Sequence, residues 1–338
     1  MTSENERLLK NIKEEQTVNQ ISLDMNISNK KIFQRIKNLS VNGYSFSRQY
    51  YYNGDIKYIL NKSFNDDDLT NRIIMDNDNN VFQALVVSDL HLGSYLERLD
   101  CLNLMYDYCI KNDIHIIINA GDLVNGMFGC PNNICSYEEQ ARYLLKNYPF
   151  DKNILNFVTL GNDADSLFSS GLDLAKILYY NRHDIVPLGY ASGKIDVKGE
   201  SILIKHRIKS QQSNNSNLEN DSSFLVLNGH LHKFSVSNTG NLNIYVPSLS
   251  DIVLENASNT IPSFLKLQIT FSGHRASLVD VEQLIVSNNK ISVIGDTTLY
   301  VSTKTKSENT KQSNKQSNSN PPRNKTLERV KNKYIGKH

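Results

Sequence analysis

Five polar blocks, each set close behind an apolar run, constrain this chain more than any other feature. Phe82–Val87 leads into Asp89-Leu90-His91, His115–Ala120 into Gly121-Asp122, and Ile154–Leu160 into Gly161-Asn162-Asp163. Ser201–Lys205 leads into His206, and Phe224–Leu227 into Asn228-Gly229-His230-Leu231-His232. Short runs rich in Val, Ile and Leu predict buried strands. Residues two apart on extended backbone share a face, so Asp89 and His91 point to one place, as do His230 and His232. Gly121 lets the chain turn sharply and brings Asp122 beside Asp89. Helical patterns at Tyr95–Lys111 (stripe Leu99, Leu102, Met105, Cys109) and Ser136–Asn147 separate the first three strands. Strands alternating with helices predict an α/β sheet whose carboxyl edge carries the site.

Carboxylate, amide oxygen and imidazole together suit borderline divalent ions such as Mn²⁺, Fe²⁺ or Zn²⁺. Two such ions ~3.5–4 Å apart can activate a bridging water and stabilise an in-line phosphoryl displacement. Asp-x-His, Gly-Asp, Gly-Asn, a lone His and Gly-His-x-His, in this order and each after a strand, resemble the calcineurin-like metallophosphoesterase family. The resemblance covers roughly Val81 to Ser250 and extends loosely to Ile294. It implies a four-layer α/β/β/α sandwich and a dinuclear centre, with Mn²⁺ first and Fe²⁺ or Zn²⁺ as alternatives. Asp89, His91 and His232 would hold one metal, Asn162, His206 and His230 the other, and Asp122 would bridge both. The strands expected after His232 (Phe234–Ser237, Leu242–Val246, Ser263–Phe271 and Lys290–Val293) would supply the second sheet, with Val246-Pro247-Ser248 as a wall of the site.

The sequence departs from the family at two places. Where the family has a histidine after Gly-Asn, this chain has Asp163. That position donates a proton or binds the transferring phosphoryl group, and general acid catalysis contributes on the order of 10²–10⁴-fold. An aspartate beside two cations stays ionised, so the expectation is a slower enzyme, one using good leaving groups, or one in which His183 or Asp165 substitutes. Lys205 and Arg207 flank His206 and are candidates for a substrate phosphate, or else both point to solvent. Cys130 and Cys135 bound a loop and lack the two-residue gap of a zinc pair. His115, His183, His274 and His338 match no motif.

The first sixty residues follow another pattern. Helices are expected at Glu6–Glu15, after a Thr17 cap, and after a Ser28 cap, where Ile32, Ile36 and Leu39 form a stripe ending at Gly43. Two β-rich runs then flank Asn53-Gly54, the signal for a two-residue hairpin. Three helices and a hairpin resemble a winged helix-turn-helix domain. Its third helix would expose Asn29, Lys30, Lys31, Gln34, Arg35 and Lys37, and its wing would carry Arg48. Lys30, Lys31, Gln34, Arg35 and Arg48 are thereby the candidate nucleic-acid contacts. Such domains also serve as sensors or dimer contacts.

The charge is uneven, which points to a polyanionic partner or to Lys-rich termini that keep the chain soluble. Residues 1–60 carry 9 basic and 6 acidic side chains, residues 61–302 carry 18 and 27, and residues 303–338 carry 10 and 2. No apolar run reaches the ~18–20 residues of a membrane span, and the first twenty residues are charged where a signal peptide is apolar. Four cysteines in 338 residues make no disulfide framework. A cytoplasmic protein without membrane contact is expected. The organisation expected is a winged helix at 1–62, a linker at 63–80, a metallophosphoesterase domain at 81–300 and a basic, disordered tail at 301–338. A polar run at 210–223 reads as a surface loop. The leading function is a dinuclear metal-dependent phosphodiesterase acting on DNA or another nucleic acid through a metal-bridged water. The alternatives are a phosphoesterase for a small molecule or phosphoprotein, with the N-terminal module as sensor or homodimer contact, and a DNA-binding regulator whose phosphoesterase domain has lost turnover.

Overall fold

The computed structural model describes residues 3–61, 71–76, 78–126, 134, 136–161, 171–206, 222–238, 241–253 and 261–301. Asn162, Asp163, Asp165, Arg207, His338, the Cys130–Cys135 loop, most of the 210–223 run and the basic tail lie outside them.

The expected strand–helix alternation forms a sheet of seven strands. β4 (Val81–Val87), β5 (Ile116–Asn119), β6 (Leu155–Thr159) and β7 (Ile185–Gly189) run parallel in that order. Helices α4 (Leu99–Lys111), α5 (Tyr137–Asn147) and α6 (Leu174–Asn181) cover its outer face. Leu102, Met105 and Cys109 of α4 and Leu144 of α5 pack there on Leu85, Val87, Ile117 and Val158. Ser136 caps α5 by accepting from the Glu139 backbone N–H, as its sequence position predicts.

The second sheet has eight strands. β8 (Ser192–Val197), β9 (Glu200–Lys205), β10 (Leu225–Asn228), β11 (Ser235–Asn238) and β12 (Leu242–Tyr245) lie in the order β11-β12-β10-β9-β8. The order continues through β3 (Arg72–Ile74), β1 (Phe46–Tyr51) and β2 (Ile56–Leu60). Ile202, Ile204, Leu225, Leu227 and Ile244 face Phe82, Val86, Ile116, Ile118 and Phe157 across the inter-sheet core.

Two expectations about strand partners are corrected. β13 (Ser263–Ser272), β14 (Arg275–Ser287) and β15 (Lys290–Tyr300) do not enter the second sheet. β13 pairs antiparallel with β4, and the other two extend the seven-stranded sheet beyond it. The Asn53-Gly54 hairpin, in turn, is not a two-residue turn. Tyr51 N–H bonds Asp55 O, which leaves a three-residue connection, and Gly54 N–H bonds Tyr51 O with Gly54 at φ +80°, the turn-plus-bulge form that needs glycine.

Nor is this hairpin a free wing. β1 pairs with β3, which lies inside the expected linker and pairs in turn with β8. Gly54 is buried against the Asn153 backbone, where a Cβ would overlap the Asn153 carbonyl. Helices α1 (Ser3–Lys13), α2 (Val18–Met25) and α3 (Asn29–Val41) close this edge. Their Leu8, Ile12, Ile21, Ile32 and Ile36 belong to the same buried cluster as Tyr50, Tyr58 and Phe157. Thr17 and Gln20 form a capping box at α2, whereas Ser28 caps α3 with no side-chain bond.

Candidate metal centre

Every described ligand candidate stands just past a strand's carboxyl end, on backbone knitted across the sheet edge. Asp89 N–H bonds Gly121 O (2.9 Å), His91 N–H bonds Asp122 O (3.0 Å), and Asp122 N–H bonds Leu160 O (3.0 Å). Eleven described non-glycine residues have positive φ, and five are ligand candidates: Asp89 (55°), His91 (45°), Asp122 (51°), His230 (78°) and His232 (55°). Left-handed backbone at such residues costs of order 1 kcal/mol each, and clusters of it mark functional sites. The strand alternation assumed from the i, i+2 spacing is therefore replaced by tight turns that aim the same side chains inward.

Glycines supply the clearance. A Cβ on Gly121 would overlap His206 Nδ1, and one on Gly161 would overlap Asp122 Oδ1. At Gly229 a Cβ would come within 2.7 Å of His206 Nδ1. The Gly-Asp, Gly-Asn and Gly-His pairs are thus steric requirements of three chain segments meeting at one imidazole and one carboxylate.

The side chains form two adjoining groups, Asp89–His91–His232 and Asp122–His206–His230, in each of which the ligand atoms lie within 4.8 Å of one another. His232 Nε2 is 3.2 Å from Asp89 Oδ1. Asp122 Oδ2 lies 2.9 Å from His206 Nε2 and 4.0 Å from His91 Nε2, so this carboxylate faces both groups. Backbone carbonyls fix two tautomers: His206 Nδ1 donates to Ala120 O (2.6 Å), and His232 Nδ1 donates to Ile252 O (3.0 Å). Each ring then presents Nε2 to the site, the usual arrangement behind a metal-binding imidazole. Asp89 is held by the His230 N–H at Oδ2 and by Ser248 Oγ donating to its carbonyl. Ala120 O, Ile252 O and the Ser248 hydroxyl are supports that no residue-type motif could announce.

The charges fit divalent cations. Asp89 Oδ1 and His206 Nε2 are buried and reach only fellow ligand candidates, 3.2 Å from His232 Nε2 and 2.9 Å from Asp122 Oδ2, a converging set of buried polar atoms that a cation would complete. Burial alone would raise the Asp89 and Asp122 carboxyls, but His206 and neighbouring imidazoles outweigh it and hold both below the usual carboxylate range. Burial opposes protonation of His206, yet Asp122 and Asp89 lift it to about 9. His230 is lowered by burial and then by the His206 charge. Two carboxylates and four imidazoles, with coordinating atoms converging, suit Mn²⁺, Fe²⁺ or Zn²⁺.

The remaining sequence candidates lie elsewhere. Lys205 is half-buried and alternates with Ile202 and Ile204, so it belongs to the outer face of its sheet. His183 cannot stand in for the missing histidine. It precedes β7 and so occupies the opposite edge of the parallel strands, stacked on Phe33 (4.4 Å between centroids) and bonded to Tyr58 (2.7 Å). On α3, Lys30, Lys31, Gln34 and Lys37 are exposed, while Arg35 turns back to Glu4 and Asn5. Arg48 is corrected outright. Its guanidinium lies 3.9 Å from the Tyr179 ring centroid and donates to Tyr179 O, so no wing presents it to a phosphate.

Residues 82–274, more than half of the chain, match the calcineurin-like phosphoesterase family. The chain belongs to that family, hydrolases that act on phosphate esters with the help of divalent metals. None of the curated proteins matches the sequence. Among solved structures the chain is similar to vacuolar protein sorting 29 from Cryptosporidium parvum, at 16% identity and TM-score 0.40, covering 66% of this chain and 100% of that one. It is also similar to an archaeal phosphodiesterase, at 12% identity and TM-score 0.39, covering 60% and 99%. A third is the Pseudomonas putida nuclease MPE, at 12% identity and TM-score 0.30, covering 62% and 87%. No helix of the described residues is long and apolar enough to cross a membrane.

Proposed function

We propose that this protein is a dinuclear metal-dependent phosphodiesterase acting on nucleic acid. The observation that carries the chemistry is the meeting of two three-ligand groups at Asp122, whose Oδ2 faces an imidazole of each. On this reading Asp89, His91 and His232 hold one ion, His206 and His230 with Asn162 hold the other, and Asp122 serves both. Two divalent ions there, Mn²⁺ first, would supply a water of lowered pKa and neutralise charge on the phosphoryl group. The chain's own residues make the site ready beforehand. Carbonyls of Ala120 and Ile252 lock the His206 and His232 rings, and the His230 N–H and Ser248 hydroxyl hold Asp89. Asp163 stands where the family's proton-donating histidine would be, so leaving groups that need no proton are favoured.

The nucleic-acid half of the proposal is supported by α3, which carries Lys30, Lys31, Gln34 and Lys37 on its exposed surface and contains no acidic residue. The engagement of Arg35 and Arg48 by protein partners favours the second reading, a smaller phosphodiester. A Mn²⁺-supplemented cleavage assay separates the two, using labelled single- and double-stranded DNA beside a nitrophenyl phosphodiester. Asp89→Ala controls for contaminating nuclease. DNA cleavage that disappears in Asp89→Ala is the expected result. Turnover of the small diester alone would replace nucleic acid with a small substrate. Absence of turnover on both would leave a binding protein with a silent site.

A further inference from the structure

We propose that the cavity where α3 and β1 meet α6 binds a small inorganic anion, held by Arg48 and Lys37. The cavity is about 30 Å³ and is lined by Lys37, Ser40, Arg48, Tyr58, Tyr180 and His183, among others. That volume takes one small ion or a pair of waters.

The need for an anion follows from the charges. A guanidinium does not shed its proton in a protein, so Arg48 brings a permanent positive charge into this junction. Its Nη2 donates to Tyr179 O (3.0 Å) and the Tyr50 hydroxyl is its other polar neighbour, but both are uncharged and neither balances the buried guanidinium. The Tyr179 and Tyr58 rings, with centroids 3.9 and 5.6 Å from the guanidinium carbon, soften this charge without cancelling it. Lys37 adds a second cation and donates only to a neutral amide, Asn181 Oδ1 (3.1 Å). Nearby basic residues have carboxylates of their own, Arg182 with Asp184 and Lys176 with Asp173. Among the described residues no carboxylate pairs with Arg48 or Lys37. The remaining titratable neighbours supply no negative charge either. Burial raises the Tyr50 and Tyr58 phenols, and burial followed by the Arg48 and Lys37 charges lowers His183 to about 3. Two cations, neutral aromatic groups and an adjoining void define an anion site. The ion would tie α3 to α6, and hence the N-terminal helices to the phosphoesterase sheets.

Thermal unfolding of the full-length protein tests this. At constant ionic strength, sodium gluconate is replaced stepwise by sodium chloride and, in a second series, by sodium phosphate. The expected result is a saturable rise in melting temperature with at least one of the two. A response to phosphate alone identifies an oxyanion site, and a response to both identifies a site that accepts either anion. Arg48→Met should abolish the rise. Lys37→Gln, at an exposed position where folding is not at risk, should weaken the midpoint concentration at least tenfold. Lys31→Gln, exposed on the same helix, should leave it unchanged. Melting temperatures independent of anion identity, or a rise that survives in both Arg48→Met and Lys37→Gln, would overturn the proposal.

Discussion

Substitution of Gly121 by alanine probes the construction of the metal centre at its tightest contact. Gly121 sits at φ +117°, a conformation that costs a side-chain-bearing residue roughly 1–3 kcal/mol. The new Cβ would overlap His206 Nδ1 and lie 2.7 Å from His206 Cβ, where ordinary contact begins near 3.4 Å. A retreat of the ring by ~0.7 Å takes its 2.6 Å hydrogen bond to Ala120 O to the edge of bonding range. Losing the outer partner of a metal-binding imidazole typically lowers metal affinity ~10–100-fold. Gly121→Ala should therefore weaken Mn²⁺ binding by about that factor, measured by competition with a chelating dye. Chemical denaturation should register a loss of roughly 1–3 kcal/mol from the backbone term. A folded Gly121→Ala protein with wild-type Mn²⁺ affinity would refute the claim that glycine-dependent contacts aim His206.

Other perturbations follow from the same geometry. Asp122 and Asp89 raise His206 to about 9 in the metal-free protein, so an ion must displace its proton. Apparent Mn²⁺ affinity should climb ~10-fold per pH unit from about pH 7 and level off near pH 9, as calorimetry in buffers of different ionisation enthalpy would show. The sign for stability is opposite: this proton stabilises the metal-free fold fully below pH ~6.5, and its contribution fades as pH rises through about 9. Arg182 and Asp184 form a buried pair at 2.6 Å, with the guanidinium also donating to Tyr148 O and Pro149 O. Asp184→Asn should cost ~3–5 kcal/mol in urea denaturation, because it strands a buried cation. Gly54→Val should detach the hairpin from the Asn153 loop, shown by faster amide exchange in β1 and β2 than in β4.

The centre was legible because its signals are local. Asp89, His91, Asp122, His206, His230 and His232 each follow an apolar strand, and glycine stands beside three of the five blocks. Partner choice among strands was not legible, since periodicity reports which face is buried and never which edge is paired. Hence β13 was expected in the second sheet but pairs with β4, and Arg72–Ile74, three residues long, passed for linker although it bonds both β1 and β8. Arg48 shows the same limit for a side chain. Its charge predicted exposure, but Tyr179, 131 residues away in sequence, covers it. The Ala120 and Ile252 carbonyls that accept from the His206 and His232 rings escape any motif because every residue has a carbonyl.

The central claim is a two-ion site completed by Asp122. Mn²⁺ binding to wild type and Asp122→Ala, by equilibrium dialysis with parallel turnover of a nitrophenyl phosphodiester, tests it most directly. Two ions per wild-type chain, turnover that appears only as the second binds, and loss of both the second ion and turnover in Asp122→Ala are the predicted results. Full turnover with a single bound ion, or a wild-type chain that binds none, would contradict the account.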